Sequence, residues 1–204
     1  GFSMSLSANR AYGSADSKPS DYAGSVGYDF RKVRGKVLLG DFNARFGQGL
    51  VLWNGAFINS LSTPSAFMKK PSGLSRSWSY TGGAALTGAA AEVGVEGFTF
   101  SAVLGAPGVK DAARRPDKVR LMPAANIAWQ CRHGQVSVTH MAEISGFRAN
   151  DEMQTRIPVM KTSADAAFCV RGVNIYGEAA YDWVDRNVNV LAGTDFKAGE
   201  DVRL

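Results

Sequence analysis

A chain of 204 residues with 45% hydrophobic content holds enough apolar material for one large domain or two small ones, which excludes a disordered polymer. Its formal charge of +5 is scattered in ones and twos, a distribution that argues for solvated loops and interior polar positions and against a nucleic-acid footprint. No run approaches the ~18 apolar residues of a membrane-crossing helix, so any membrane protein of this sequence has to cross with strands.

Residues 1–7 already alternate like a strand, with no basic and apolar leader ahead of them, and 201–204 end in similar alternation. The chain therefore reads as a mature or truncated segment of something longer. Strands are expected at 22–31, 36–46, 81–93 and 97–105. The Ala-rich run 84–91 has helical propensity, but Gly82, Gly83, Gly88 and Gly94 oppose a helix there.

Period-two alternation is clearest further along. Leu121, Pro123, Ala125, Ile127 and Trp129 oppose Arg120, Met122, Ala124, Asn126 and Gln130; Pro123 cannot donate to a ladder and hints at an edge or a bulge. Val136, Val138, His140, Ala142 and Ile144 oppose Gln135, Ser137, Thr139, Met141 and Glu143. Ala164, Ala166, Phe168 and Val170 oppose Ser163, Asp165, Ala167, Cys169 and Arg171, and Arg171-Gly172 makes a tight turn. Val173, Ile175, Gly177, Ala179, Tyr181 and Trp183 then oppose Asn174, Tyr176, Glu178, Ala180 and Asp182. One face of each segment suits lipid and the other suits water. The template yields about ten strands.

Connections alternate in length, as they do between the two sides of a transmembrane barrel. Residues 9–21, 47–79, 106–118 and 148–161 read as long, while 32–35, 94–96, 132–134 and 171–172 read as short; the short turn 185–187 breaks the rule. Tyr22, Tyr80, Phe147, Tyr181 and Trp183 gather towards the long-loop ends, with Phe30 and Trp129 towards the short turns, where amphipathic rings favour a membrane interface.

Catalytic parts are missing. His133 and His140 fall on different segments, and no G-x-S-x-G, H-E-x-x-H or Cys/His constellation occurs. Cys131 and Cys169 lack C-x-x-C spacing and are either free or paired. No cofactor, metal or small-molecule substrate is implied. The candidate lumen-lining set is Asp29, Arg31, Asp41, Asn43, Arg45, Arg120, Asn126, Glu143, Asp165, Arg171, Glu178, Asp182, Asp195 and Lys197, mixed in sign, able to brace strands in register or to line a channel. The loop carrying Lys110, Arg114, Arg115 and Lys118 is a candidate contact for lipopolysaccharide or another anion.

The most distinctive stretch is G-D-F-N-A-R-F-G-Q-G-L-V-L-W at 40–53. Gly40, Asp41, Phe42, Phe46, Gly47, Gln48, Gly49 and Leu50 resemble the outer-membrane barrel region of Bacteroidetes proteins of the helix-hairpin-helix domain-containing type. In the residues themselves, Gly47, Gln48 and Gly49 read as the sharp exit from a strand, and Leu50, Val51, Leu52 and Trp53 as an apolar segment that folds into the lumen or lies against the rim. The helix-hairpin-helix module is not visible in this chain, so DNA binding tied to it does not carry over. Periodicity and resemblance together imply an all-β, antiparallel up-and-down transmembrane β-barrel, complete or part of a larger one. It occupies 1–204 as a single domain or a fragment of one, with a long loop at about 47–79. The expected function is a non-enzymatic pore or a scaffold for partner proteins in the outer membrane of a Gram-negative bacterium, its partners being lipid, lipopolysaccharide or other outer-membrane proteins. A soluble β-barrel binding or structural protein and an outer-membrane barrel enzyme are the rival readings.

Overall fold

The computed structural model describes residues 1–9, 21–30, 33–54, 68–77, 85–107, 118–149 and 152–196. Within them the protein is all-β, with strands β1 (Phe2–Asn9), β2 (Asp21–Phe30), β3 (Arg34–Arg45), β4 (Gly73–Arg76), β5 (Leu86–Val95), β6 (Phe98–Pro107), β7 (Lys118–Cys131), β8 (Gly134–Ala149), β9 (Glu152–Val170), β10 (Val173–Asp182) and β11 (Asn187–Phe196). All belong to one antiparallel sheet that runs in chain order, except that β3 pairs with β5 and the short β4 joins β3 alone. The edges of the sheet, β1 and β11, are not paired with each other.

Turn chemistry sets the hairpins. Glu96 and Gly97 both have positive φ, as do Arg171 and Gly172, which is the primed geometry whose twist matches that of the flanking strands. Around the second of these, Val170 pairs with Val173 and the register runs unbroken to Lys161 opposite Asp182.

Three expectations need correction and a fourth is met. Among the described residues there are eleven strands, the extra one, β4, lying inside the segment 47–79 that reads as a loop. The run 148–161 is mostly strand: β8 continues to Ala149 and β9 starts at Glu152, with a register shift between Glu143 and Ser145 taking up one extra residue. Alternation fades there, which made paired backbone look like a loop. Pro123 lies in a central strand, opposite Leu104 of β6; the β7–β8 ladder skips Met122 and Pro123 and resumes in the same register at Ala124. The Ala-rich run is strand, as expected: from Leu86 on it belongs to β5, whose Gly88 sits so close to Leu104 O that a Cβ there would meet it at 2.2 Å.

The sheet is rolled. From β3 to β10 there are six inter-strand steps, about 29 Å along a flat sheet at roughly 4.8 Å per step. Yet the amide of Leu50, just beyond β3, donates to Glu178 Oε2 of β10 at 3.0 Å. The concave side thus encloses the chain that leaves β3. A cluster of Leu38, Phe42, Phe46, Val51, Leu52, Leu74, Leu86, Val103 and Met141 fills part of that interior.

Burial alternates with the strands in an unusual sense. Ser25, Ser101, Asn126, Ser137, Thr139, Ser163, Asp165, Glu178 and Asp182 are buried on the concave face. Leu39, Phe98, Phe100, Leu104, Ile127, Trp129, Val138, Ile175, Val188 and Val190 are exposed on the convex one. Tyr28, Phe30, Phe98, Phe100, Trp129 and Phe196 cluster at the short-turn end of the convex face, with Phe98 opposite Trp129 and the Tyr28 and Phe30 rings edge to face. At the other end Tyr181 and Trp183 pack edge to face, and Trp183 Nε1 donates to Thr162 Oγ1. The side chains of Tyr22, Tyr80 and Phe147 lie outside the described residues.

Candidate functional site

The motif 40–53 organises the interior. Gly40 has φ +94°, and a Cβ there would stand 2.2 Å from Gly24 O, so only glycine lets β3 pass that close to β2. The β2–β3 ladder ends at this residue. Asp41 then accepts from the Gly24 amide at 2.8 Å, supplying the partner that the β3 backbone no longer offers, and also from Thr87 Oγ1. Beyond the kink β3 pairs with β4 instead of β2, and Phe42 is completely buried.

The chain next doubles back. Arg45 bridges Trp53, the Phe46 amide donates to Leu52 O, and the Asn54 amide donates to Ala44 O. Asn54 Nδ2 donates to Phe42 O at 3.2 Å, which ties the hairpin base. Gln48, 1% exposed, donates through Nε2 to Lys69 O and accepts from the Lys69 amide, satisfying both backbone groups of a segment with no ladder partner. Gly47 and Gly49 take left-handed conformations at the hairpin tip. Val51 and Leu52 are buried in the interior cluster, which settles the apolar segment inside the rolled sheet rather than at its rim.

Two acidic groups fasten these inner segments to the wall. Glu92 accepts from the Leu74 amide of β4 and pairs with Lys36 Nζ at 2.9 Å, while Lys36 also donates to Leu74 O. Glu178 accepts from the Leu50 amide, as above, and lies opposite Asp165 in the β9–β10 register. Asp165 accepts from Ser137 Oγ, and Ser137 accepts from Asn126 Nδ2, which also donates to Thr139 Oγ1 at 2.9 Å. A polar chain therefore runs across β7, β8, β9 and β10. Beside it is a cavity of about 190 Å³ whose walls include Phe46, Gly47, Glu92, Ser101, Asn126 and Ser137.

The expected lumen residues divide into groups. Asn126, Asp165, Glu178 and Asp182 are buried on the concave face, and Asp182 pairs with Lys161 at 3.3 Å. Asp195 sits opposite Asn174, which donates to it. Asn43 lies opposite Ser75 of β4 and keeps a buried Oδ1 without a partner, while Arg45 donates through Nε to Asn54 O and so serves the inner hairpin. Glu143 is half-buried and pairs with the exposed Arg120 at 2.7 Å. Arg171 is corrected: it stands exposed in the β9–β10 turn, where its φ of +51° serves the backbone. Asp29 is exposed at the end of β2. Arg31, Lys197, Lys110, Arg114 and Arg115 lie outside the described residues, as does the side chain of Lys118. Lys36, Glu92 and Lys69 escape the sequence reading, although Lys36 and Glu92 sit on the inner parity of their strands and are directly opposed in the β3–β5 register.

Among the described residues no group of three His, Cys, Asp or Glu side chains is placed to hold a metal. Cys131 and Cys169 are both free. His140, on the convex face, shares a hydrogen bond with Thr162 Oγ1 at 2.8 Å. Compared with protein-family models, with curated proteins and with solved structures, the chain matches none.

Proposed function

We propose that this chain forms the wall of an outer-membrane β-barrel whose interior is partly filled by an apolar cluster and an inner hairpin, and that it works as a non-conducting scaffold for partner proteins. One observation carries the membrane part: large apolar side chains cover the convex face while serines, threonines, an asparagine and carboxylates are buried on the concave one. Water-soluble sheets show the opposite arrangement, and contiguous apolar surface of this extent is rare on soluble monomers. In a bilayer it is the expected one, because strands alternate apolar-out and polar-in and aromatic rings gather at the interfaces. The ring cluster at the short-turn end and the Tyr181–Trp183 pair at the other support the same reading. Pairing of the two sheet edges, with each other or with further strands, would complete the barrel, as free edges are aggregation-prone.

The filled interior favours scaffold over pore. Phe42, Phe46, Leu52, Leu74 and Met141 pack across the space an aqueous channel would need, and the hairpin is hydrogen-bonded to the far wall. The motif at 40–50 keeps the helix-hairpin-helix-type outer-membrane family as the proposed kinship, since Gly40 and Asp41 set the parting of β3 from β2 and Gly47, Gln48 and Gly49 shape the inner hairpin. Refolding into lipid vesicles, followed by heat-modifiable gel migration and planar-bilayer recording, tests the proposal. Vesicle-inserted protein without steady conductance is expected. A folded, detergent-free soluble monomer would defeat the membrane assignment, and a steady open conductance would defeat the scaffold.

A further inference from the structure

The buried acids differ in how their charge is balanced. Asp182 has Lys161 and Glu92 has Lys36. Asp165 and Glu178 face each other across β9 and β10, each 3% exposed, and among the described residues neither forms an ion pair. Their hydrogen bonds come from one hydroxyl, Ser137, and one amide, Leu50, and Glu178 Oε1 is buried with no partner at all. Two carboxylates in a region shielded from water repel each other and lose hydration, so the pair calls for a bound proton or cation where, among the described residues, no basic side chain is paired with it.

Gly47 packs against both carboxylates. A Cβ built on it would stand 3.0 Å from Glu178 Oε1 and 3.1 Å from Asp165 Oδ1, so the two oxygens flank the same stretch of backbone and are at most about 6 Å apart. Gly47 and Ser137 both also line the cavity of about 190 Å³, room for several waters at roughly 30 Å³ each. Hard divalent cations take carboxylate, hydroxyl and water oxygens at about 2.0–2.6 Å, and Mg²⁺ in particular binds through one or two carboxylates while keeping several waters. We infer that Asp165 and Glu178 form a divalent-cation site between the barrel wall and the Gly47–Leu50 turn, with Ser137 and cavity waters as further oxygen ligands. The bound ion neutralises the pair and fixes the hairpin tip to β9 and β10.

The test uses the full 204-residue chain refolded in detergent micelles, titrated separately with Mg²⁺ and Ca²⁺ by calorimetry, alongside Glu178→Gln and Asp165→Asn. Both substitutions keep an oxygen that accepts the existing hydrogen bond, so the fold is retained and circular dichroism verifies it. Saturable binding at one ion per chain, weakened about tenfold or more in each variant, is expected, since even outer-shell changes at metal sites cost 10–100-fold. The thermal unfolding midpoint should rise with cation in the wild type alone. Absence of saturable binding to folded wild type, binding unchanged in both variants, or a protonated carboxyl in the infrared spectrum at neutral pH with cation present would overturn the inference. The site is independent of the scaffold reading: a folded protein that fails to bind cation leaves membrane insertion untouched, and a chain that binds cation but stays out of vesicles leaves the site intact.

Discussion

Replacing Gly47 by alanine should cost much more stability than replacing Gly172, although both glycines occupy left-handed backbone. The shared part of the penalty is steric: a Cβ in the left-handed region costs roughly 1–2 kcal/mol. At Gly172 nothing lies within 4 Å of the added carbon, so the penalty stops there. At Gly47 the methyl would enter at 3.0 Å from Glu178 Cδ and 3.1 Å from Asp165 Oδ1. Those carboxylates are held by Leu50 and Ser137 and retreat only by breaking those bonds. Overpacking of this kind adds about 1–3 kcal/mol. Gly47→Ala should therefore lose about 2–5 kcal/mol, and exceed Gly172→Ala by about 1–3 kcal/mol, read from urea unfolding in detergent micelles with an unchanged m-value. Equal losses for the two variants would refute the docking of the hairpin tip on the β9–β10 wall.

Further outcomes follow from the same geometry. Phe42→Ala empties a completely buried position and should cost about 3–5 kcal/mol, checked by the same titration. Ile127→Arg places a charge on the convex face and should cost about 2–4 kcal/mol in vesicles if that face meets hydrocarbon. On a water-exposed face the same change would stay within about 0.5 kcal/mol. Gln48→Ala removes both hydrogen bonds to Lys69 and should cost about 2 kcal/mol at roughly 1 kcal/mol per bond, with faster hydrogen exchange at the Lys69 amide as the local readout.

What could be read from the sequence follows from what alternation encodes. Period two assigns each side chain of a regular strand to a face, so the division of β8, β9 and β10 into Val138/Ala164/Ile175 and Ser137/Asp165/Glu178 sides was legible residue by residue. Strand ends with tight turns were legible too, because Arg171-Gly172 carries its own conformational signal. Alternation says nothing about a chain that leaves the sheet. The kink at Gly40, the partner exchange from β2 to β4 and the hairpin of 46–54 depend on contacts up to 128 residues apart, such as Asn54 with Phe42 or Leu50 with Glu178. The glycines of the motif signalled a sharp exit, and the apolar run 50–53 left its destination open between lumen and rim. Charge pairing was partly hidden for the same reason: Lys36 and Glu92 meet only once β3 and β5 are known to be neighbours.

Membrane insertion requires the convex apolar face to meet lipid. Its most direct test is quenching of tryptophan fluorescence by lipids with brominated acyl chains, in two single-tryptophan proteins made by replacing the other tryptophans with phenylalanine. One carries Val138→Trp on the convex face of β8; the other keeps Trp53 within the inner hairpin. Strong quenching at position 138 and little at Trp53 is predicted. Quenching absent at 138, with emission there sensitive to aqueous iodide, would contradict it.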